Sequence, residues 1–247
     1  MNAKQLLQAG ELTKALEALQ GEIREHPMDL HRRTFLFELL CFNGEYQRAE
    51  ETLAAISGAG PSSLTGALLY RGALAAEMSR QKFFEKREYA GFVRGASRGI
   101  HGICNGISFH SIADTDPRVG ACVETFAHGE YLRIPFEDIV SIAMPAPRRL
   151  RDLLWAPAVI RPGPALRSLE LGEVLMPTLA PFSWKYPDDA VRLGRRTVWE
   201  TSGDGEEVPF GLKVLMVDSH ELPFLELRNL EILEIPPAGS SAPEMVN

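Results

Sequence analysis

The chain has 247 residues, 45% of them hydrophobic, enough for one large domain or two small ones with real cores. Its 26 Lys and Arg against 33 Asp and Glu give a formal charge of -7, and no basic stripe gathers anywhere, which excludes nucleic acid or an anionic membrane as the main partner. No apolar run approaches the roughly 20 residues that cross a bilayer.

The chain opens with MNAKQLLQAGELTKAL, amphipathic from its first residues and without the apolar core of a signal peptide. Three widely spaced cysteines, Cys41, Cys104 and Cys122, suit reduced thiols. Together these predict a cytoplasmic protein. An internal repeat follows. AGELTKALEALQGEIREHP (9–27) matches NGEYQRAEETLAAISGAGP (43–61), with Gly10 against Gly44, Ala15 against Ala49, Leu19 against Leu53 and Pro27 against Pro61. Each offset is 34 (44 minus 10, 61 minus 27), the period of tetratricopeptide helix pairs. The small residues let paired helices approach, and each Pro lacks the amide that a continuing helix would use.

Between the matched segments, DLHRRTFLFELLCFNG predicts a helix with a wide apolar arc. A longer one is predicted from about Ser63 to Tyr89, where Gly66, Gly72, Ala73 and Ala76 permit close packing. Residues 1–90 thus read as a tetratricopeptide-like helical domain. Two units leave apolar ends exposed, so the second half of the chain is expected to cap them. On this reading His31, Thr34, Glu38 and Cys41, with Leu68, Gly72 and Ala75 from the next helix, line a groove suited to an amphipathic helix or extended peptide.

GFVRGASRGIHGICNG (91–106) holds five glycines without periodicity and reads as a connector. Beyond it the pattern turns to alternation and short apolar runs. Strands are predicted at 107–113, 121–127, 130–136, 139–144, 157–161, 173–179, 196–200, 213–218 and 222–227, with hairpin turns at AHGEY and DSHE. RRLRDLLW (148–155) and DDAVRLG (188–194) read as short helices, the second capped by Asp188. Residues 107–235 therefore predict an antiparallel-rich α+β domain packed on the helical hairpins, and 236–247 a disordered tail.

Candidate chemistry is thin. His101, Cys104, His110 and Cys122 follow no zinc spacing, so no metal or other cofactor is expected. Trp155, Trp184 and Trp199 read as anchors at the core edge rather than a ligand cage. DTDPRVG (114–120) is the one acidic motif: Asp114, Asp116 and Arg118 could form a small-ligand or catalytic site. Read mechanically, the two carboxylates accept turn amides, Pro117 fixes φ, and Arg118 reaches a nearby acceptor. The mechanical reading is preferred, because no second acidic cluster or histidine stands ready to help.

RTFLFELLCFNGEYQRAE, LYRGALAAE, DTDPRVGACVETF, IPFEDI, LRDLLWAPA, DDAVRLGRRTVWE and LPFLELR occur in that order across about residues 5–230. This series resembles the ImpE (SciE/TagJ-like) family of bacterial type VI secretion clusters. The resemblance implies a non-enzymatic adaptor that binds the N-terminal helix of the sheath subunit TssB and acts with the ClpV unfoldase indirectly. It supplies no catalytic residues. The stretch between the LYRGALAAE helix and DTDPRVG is shorter here than the family's helical middle. The alternatives are an enzyme or small-ligand sensor built on the Asp-x-Asp-Pro-Arg turn, and a general helical scaffold with another client.

Overall fold

The computed structural model describes residues 1–57, 61–91, 100–166, 171–203 and 205–233. The 236–247 tail and residues 92–99 of the connector lie outside them. Five helices come first: α1 (Ala3–Gln8), α2 (Leu12–Glu25), α3 (Leu30–Phe42), α4 (Tyr46–Ser57) and α5 (Pro61–Glu85). Asn2 starts α1 with a reciprocal capping box to Gln5, and Asp29 caps α3 by accepting from the Arg32 amide at 3.1 Å.

The 34-residue match is also a match of turns. Glu11 N–H donates to Leu6 O and Glu45 N–H to Leu40 O, each at 3.0 Å, while Gly10 and Gly44 take φ of 87° and 72°. Glycine meets that left-handed requirement without a Cβ clash. Ala15 and Ala49 are fully buried, and Leu19 and Leu53 are each 1% exposed, so the repeated small and large positions do the same packing work twice.

Both turns are gripped by the second half of the chain. The helix α6 (Asp189–Arg192), with Asp188 accepting from the Ala190 amide as its cap, lies beside them. The Glu11 side chain makes no capping bond at the start of α2. Asp189 does so from outside, accepting from Thr13 N at 2.9 Å and from Thr13 Oγ1 at 3.1 Å. Arg195 donates to the carbonyls of Leu7 and Gln8 at the end of α1 (2.7 and 3.0 Å), and Arg192 to Asn43 Oδ1 at the end of α3. Trp184 lies against Gly44 so closely that a Cβ there would sit 2.2 Å from its ring. The expected cap is thus supplied residue by residue. Asp189→Ala is expected to cost about 1 kcal/mol, the usual value of an N-cap; a shift of the urea midpoint with unchanged m-value checks it.

Thirteen strands are described: β1 (His101–Cys104), β2 (Ile107–Phe109), β3 (Ile112–Asp114), β4 (Cys122–Ala127), β5 (Glu130–Pro135), β6 (Ile139–Ala143), β7 (Trp155–Pro162), β8 (Glu173–Pro177), β9 (Val198–Thr201), β10 (Glu207–Phe210), β11 (Val214–Val217), β12 (His220–Pro223) and β13 (Asn229–Leu233). Eight form one antiparallel sheet in the order β2-β1-β13-β6-β7-β8-β4-β5. A three-stranded sheet, β12-β11-β3, packs on one face of it, and its Ile112 and Leu215 join Phe109, Ile142 and Met176 in one core. The strands β9 and β10 pair by themselves. The fold is α+β, with helices first and a large antiparallel sheet after them.

Several predicted elements are redrawn. The strand expected at 107–113 splits into β2 and β3, which join different sheets. The break is at His110 and Ser111, whose amides both donate to Asp218 Oδ1 at 2.8 Å. The connector span contains β1 and the Asn105-Gly106 turn, both residues at positive φ. RRLRDLLW gives only a 3-10 turn, Leu150–Leu153, before β7 starts at Trp155. The run at 222–227 ends as a strand at Pro223 and continues as a 3-10 turn, and β10 and β13 were not foreseen. The AHGEY hairpin forms as expected, with His128 and Gly129 both at positive φ.

Candidate functional site

Helix α5 is the hinge piece of the molecule. One flank packs on α4, and the other lies on β4 and β5. Gly72 meets Gly129 of the β4–β5 turn, where a Cβ on Gly72 would stand 3.4 Å from the Gly129 Cα. Two open clefts flank the first half of α5. One, of about 300 Å³, lies between α3, α4 and α5 and is lined by His31, Thr34, Phe37, Ile56 and Tyr70 among others. The second, about 460 Å³, lies between α5 and the sheet, with Leu68, Leu69 and Gly72 facing Phe126, His128 and Leu175.

The groove residues expected from the sequence therefore divide. His31 and Thr34 line the first cleft, Leu68 and Gly72 line the second, and Ala75 is exposed further along α5. Glu38 is half-buried against the loop that carries Arg149, Arg151 and Asp152. Burial lifts its carboxyl to about 7 in spite of the Arg151 charge. Cys41 is only 3% exposed, inside the helical core, where burial pushes its thiol well up. The inner side of α3 is covered by the chain's own second half, which is why Cys41 faces core. Trp155 packs 6.4 Å from the Phe37 ring and donates from its indole to Glu77 at 3.1 Å. Leu69, at 55% exposure beside Leu68 at 56%, was missed. Its signal is the double leucine flanked by the small residues Gly66 and Ala67 on one side and Gly72 and Ala73 on the other.

DTDPRVG closes a corner. Asp114 Oδ1 accepts from Asp116 N (2.9 Å) and Asp116 Oδ1 from Arg118 N (3.0 Å), which are the turn amides expected of it. The Arg118 guanidinium then folds back on Asp116 in a bidentate pair, 2.8 and 2.6 Å. Its other face stacks on Phe84 of α5, 5.5 Å from the ring centre. Pro117 is half-buried within the same corner. His110 is exposed, and its amide donates to Asp218.

Beneath the corner runs a line of buried charges. Lys213 Nζ stands 3.0 Å from Asp114 Oδ2 and 2.7 Å from Glu124 Oε2. Glu124, fully enclosed, takes a bidentate pair from Arg80 of α5 at 2.8 and 3.0 Å and a hydrogen bond from the Tyr131 hydroxyl at 2.8 Å. Arg80 also reaches Glu77 at 3.2 Å and the Leu179 carbonyl at 3.0 Å. Burial alone would raise the Glu124 carboxyl, but Arg80 and Lys213 overcome it and hold the group far below the usual range. At Asp114 burial wins over Lys213, and the carboxyl rises to about 6. This arrangement clamps α5 to the sheet. Every carboxylate in it is already taken by a turn amide, an indole, a phenol or a cation.

The metal candidates part company. Cys104 faces the sheet core, and Cys122 packs with Phe84 and Val119. Among the described residues no group of three or more His, Cys, Asp or Glu is placed to hold a metal ion. Likewise no helix among them is long and apolar enough to cross a membrane. Trp155 is 2% exposed and Trp184 half-buried, as core-edge anchors should be, but Trp199 stands 43% exposed on β9.

The model of the ImpE protein family matches residues 106–231, which run from the turn before β2 into β13 and take in the DTDPRVG corner and α6. A Pseudomonas aeruginosa protein described as the type VI secretion system accessory component TagJ is 30% identical, the alignment covering 94% of this chain and 91% of that one. A Vibrio parahaemolyticus protein solved by X-ray crystallography superposes with a TM-score of 0.82 at 25% identity, over 94% of this chain and 98% of its own. Both likenesses span the helices as well as the sheet, and the chain belongs to the ImpE family.

Proposed function

We propose that this chain is a non-enzymatic accessory protein of a type VI secretion system that receives an amphipathic helix beside α5. The observation that carries this reading is the pair Leu68 and Leu69, more than half exposed on the lip of a cleft of about 460 Å³. Exposed large side chains beside a concave apolar surface are what a partner helix needs as anchor points. The identical bonding of the Gly10 and Gly44 turns supports reading the helical half as tetratricopeptide-like. The TagJ relative supports a place in type VI secretion, and the cytoplasm is the compartment proposed with it. The expected partner is the N-terminal helix of the sheath subunit TssB, with ClpV engaged indirectly and sheath assembly or recycling as the outcome. Leu68, Leu69 and Gly72 are the proposed contact set at this cleft; His31 and Thr34 line the cleft on the other flank of α5, where a second contact is proposed, and Ala75, Glu38 and Cys41 line neither.

The test is a titration of the full chain with a TssB N-terminal helix peptide. Saturable binding is expected, and Leu69→Asp is expected to weaken it at least tenfold, since about 1.4 kcal/mol per decade is less than one buried leucine contributes. The variant should keep the parent's thermal midpoint, because Leu69 is mostly exposed. Absence of binding at high micromolar peptide would count against TssB as the client. The small-ligand alternative gains little from the DTDPRVG carboxylates, which accept from turn amides and Arg118, while Asp114 Oδ2 is buried with Lys213 at 3.0 Å and no hydrogen bond.

A further inference from the structure

We propose that the helix received beside α5 is acidic at the end that lies over the Leu150–Leu153 turn, its carboxylates meeting Arg148 and Arg149. This rests on the adaptor reading and adds the partner's charge to it.

The cleft of about 460 Å³ continues past Leu175. A hollow of about 60 Å³ shares Leu69, Glu173 and Leu175 with it and runs on to Tyr70, Pro157 and Arg151. Together they make one trough, with α5 on one side and β8 on the other. His128 and Gly129 stand at its first end, and the 3-10 turn at its second.

The second end is built around one enclosed acid. Asp152, at 7% exposure, accepts from the amides of Arg148 and Arg149 at 2.8 and 2.9 Å and stands 3.6 Å from Arg151 Nε. Arg151 lies over the Tyr70 ring, 5.1 Å from its centre, and donates to the Tyr70 hydroxyl. Arg148 and Arg149 are exposed, and among the described residues neither side chain has an ion pair. Glu38 of α3 acts on Arg149 and Arg151 only at a distance, half-buried and bonded to neither. Three arginines at this end thus face one enclosed acid and one half-buried acid, on a chain whose formal charge is -7. Glu173 is the exposed acid of the sheet wall further along. A partner therefore meets a cationic end and an anionic wall.

An exposed guanidinium loses little by standing unpaired in water, and its planar fork takes a carboxylate with two parallel bonds. The carbonyl end of a helix is also negative, but it carries only about half a charge. Side-chain carboxylates are therefore the source this rim selects. Glu173 repels acids beside the wall, so the same pattern sets the direction of the helix as well as its place.

The test titrates the full chain with the TssB N-terminal helix peptide and with a copy in which every Asp and Glu is replaced by Asn and Gln. Arg148→Gln with Arg149→Gln is expected to weaken the native peptide about fivefold at low salt, as two exposed ion pairs would. The loss should shrink in about 0.5 M salt, which screens such pairs. The amide copy should bind parent and variant alike, as weakly as the variant binds the native peptide. Since the two side chains make no ion pair of their own, the variant should keep the parent's thermal midpoint. If binding falls with Leu69→Asp but ignores the arginines, the cleft reading stands and this proposal is overturned. If the arginines matter but the amide copy binds as tightly as the native peptide, the rim meets helix-end carbonyls, and the acidic end is refuted. Absence of any binding removes the TssB reading and the proposal with it.

Discussion

Arg80→Met is expected to remove about 3–5 kcal/mol of folding stability, the usual result of deleting one partner of a buried pair. Total stabilities are only about 5–15 kcal/mol, so this one change takes the chain near its threshold. The cause is not the lost attraction by itself. Arg80 is 1% exposed and Glu124 is fully enclosed; with the guanidinium gone, Glu124 keeps only Lys213 and the Tyr131 hydroxyl, and Glu77 only neutral donors. Arg80→Met with Glu124→Gln should recover part of the loss, because Lys213 then faces Asp114 alone and only Glu77, held by the neutral donors Gln81 and Trp155, is left as a buried carboxylate without a cation. Urea unfolding measures both variants. A single-variant cost below 1 kcal/mol would mean that water reaches the line and that α5 is held mainly by its apolar side.

Gly44→Ala is expected to cost about 2–4 kcal/mol, summing an overpacked contact and a left-handed backbone. The added methyl group would stand 2.2 Å from Trp184 Cδ2, with three ring atoms inside 2.6 Å, and φ is already 72°. Gly10→Ala occupies the equivalent position of the first turn, but there the nearest atom is Arg195 Nη1 at 3.1 Å, the far end of a flexible side chain. The second substitution should therefore cost clearly less than the first. In a Trp184→Ala background the Gly44→Ala penalty should shrink to the backbone part, about 1 kcal/mol. Equal costs at the two glycines would sink the idea that the indole sets the tolerance.

The helical hairpins were readable because their signals are local. Gly10 and Gly44 mark turns by backbone conformation, and Ala15 and Ala49 mark close approach by size, wherever the rest of the chain goes. The strands show the opposite case. β13 was missed although its apolar residues are ordinary, since its two neighbours, β1 and β6, lie about 130 and 90 residues away and pairing choice is not a local property. ISFHSIA looked continuous because the carboxylate that splits it, Asp218, comes from a distant turn. Of the proposed contact residues, Leu68 and Gly72 line one cleft because they lie about one helical turn apart, a spacing local to their helix. Cys41 was misplaced because α3 is apolar over most of its circumference, so its pattern favours no single inward face, and the Trp155 that occupies the hollow side arrives from β7. The DTDPRVG corner was legible as a turn, but its hold on Phe84 of α5 was not.

The grip of Asp189, Arg192 and Arg195 on the first two hairpins has a consequence for biogenesis. The Arg195 bond to the Gln8 carbonyl spans 187 residues. At typical synthesis speeds of about 5–20 residues per second, α1 waits roughly 10–40 s after leaving the ribosome before the residues that brace it exist. During that interval the nascent helices carry uncovered leucines and unsatisfied helix ends. A message truncated before codon 184 would thus yield a polypeptide whose helical part is written in full yet lacks its clasp, a substrate for chaperones and proteases rather than a working half-protein.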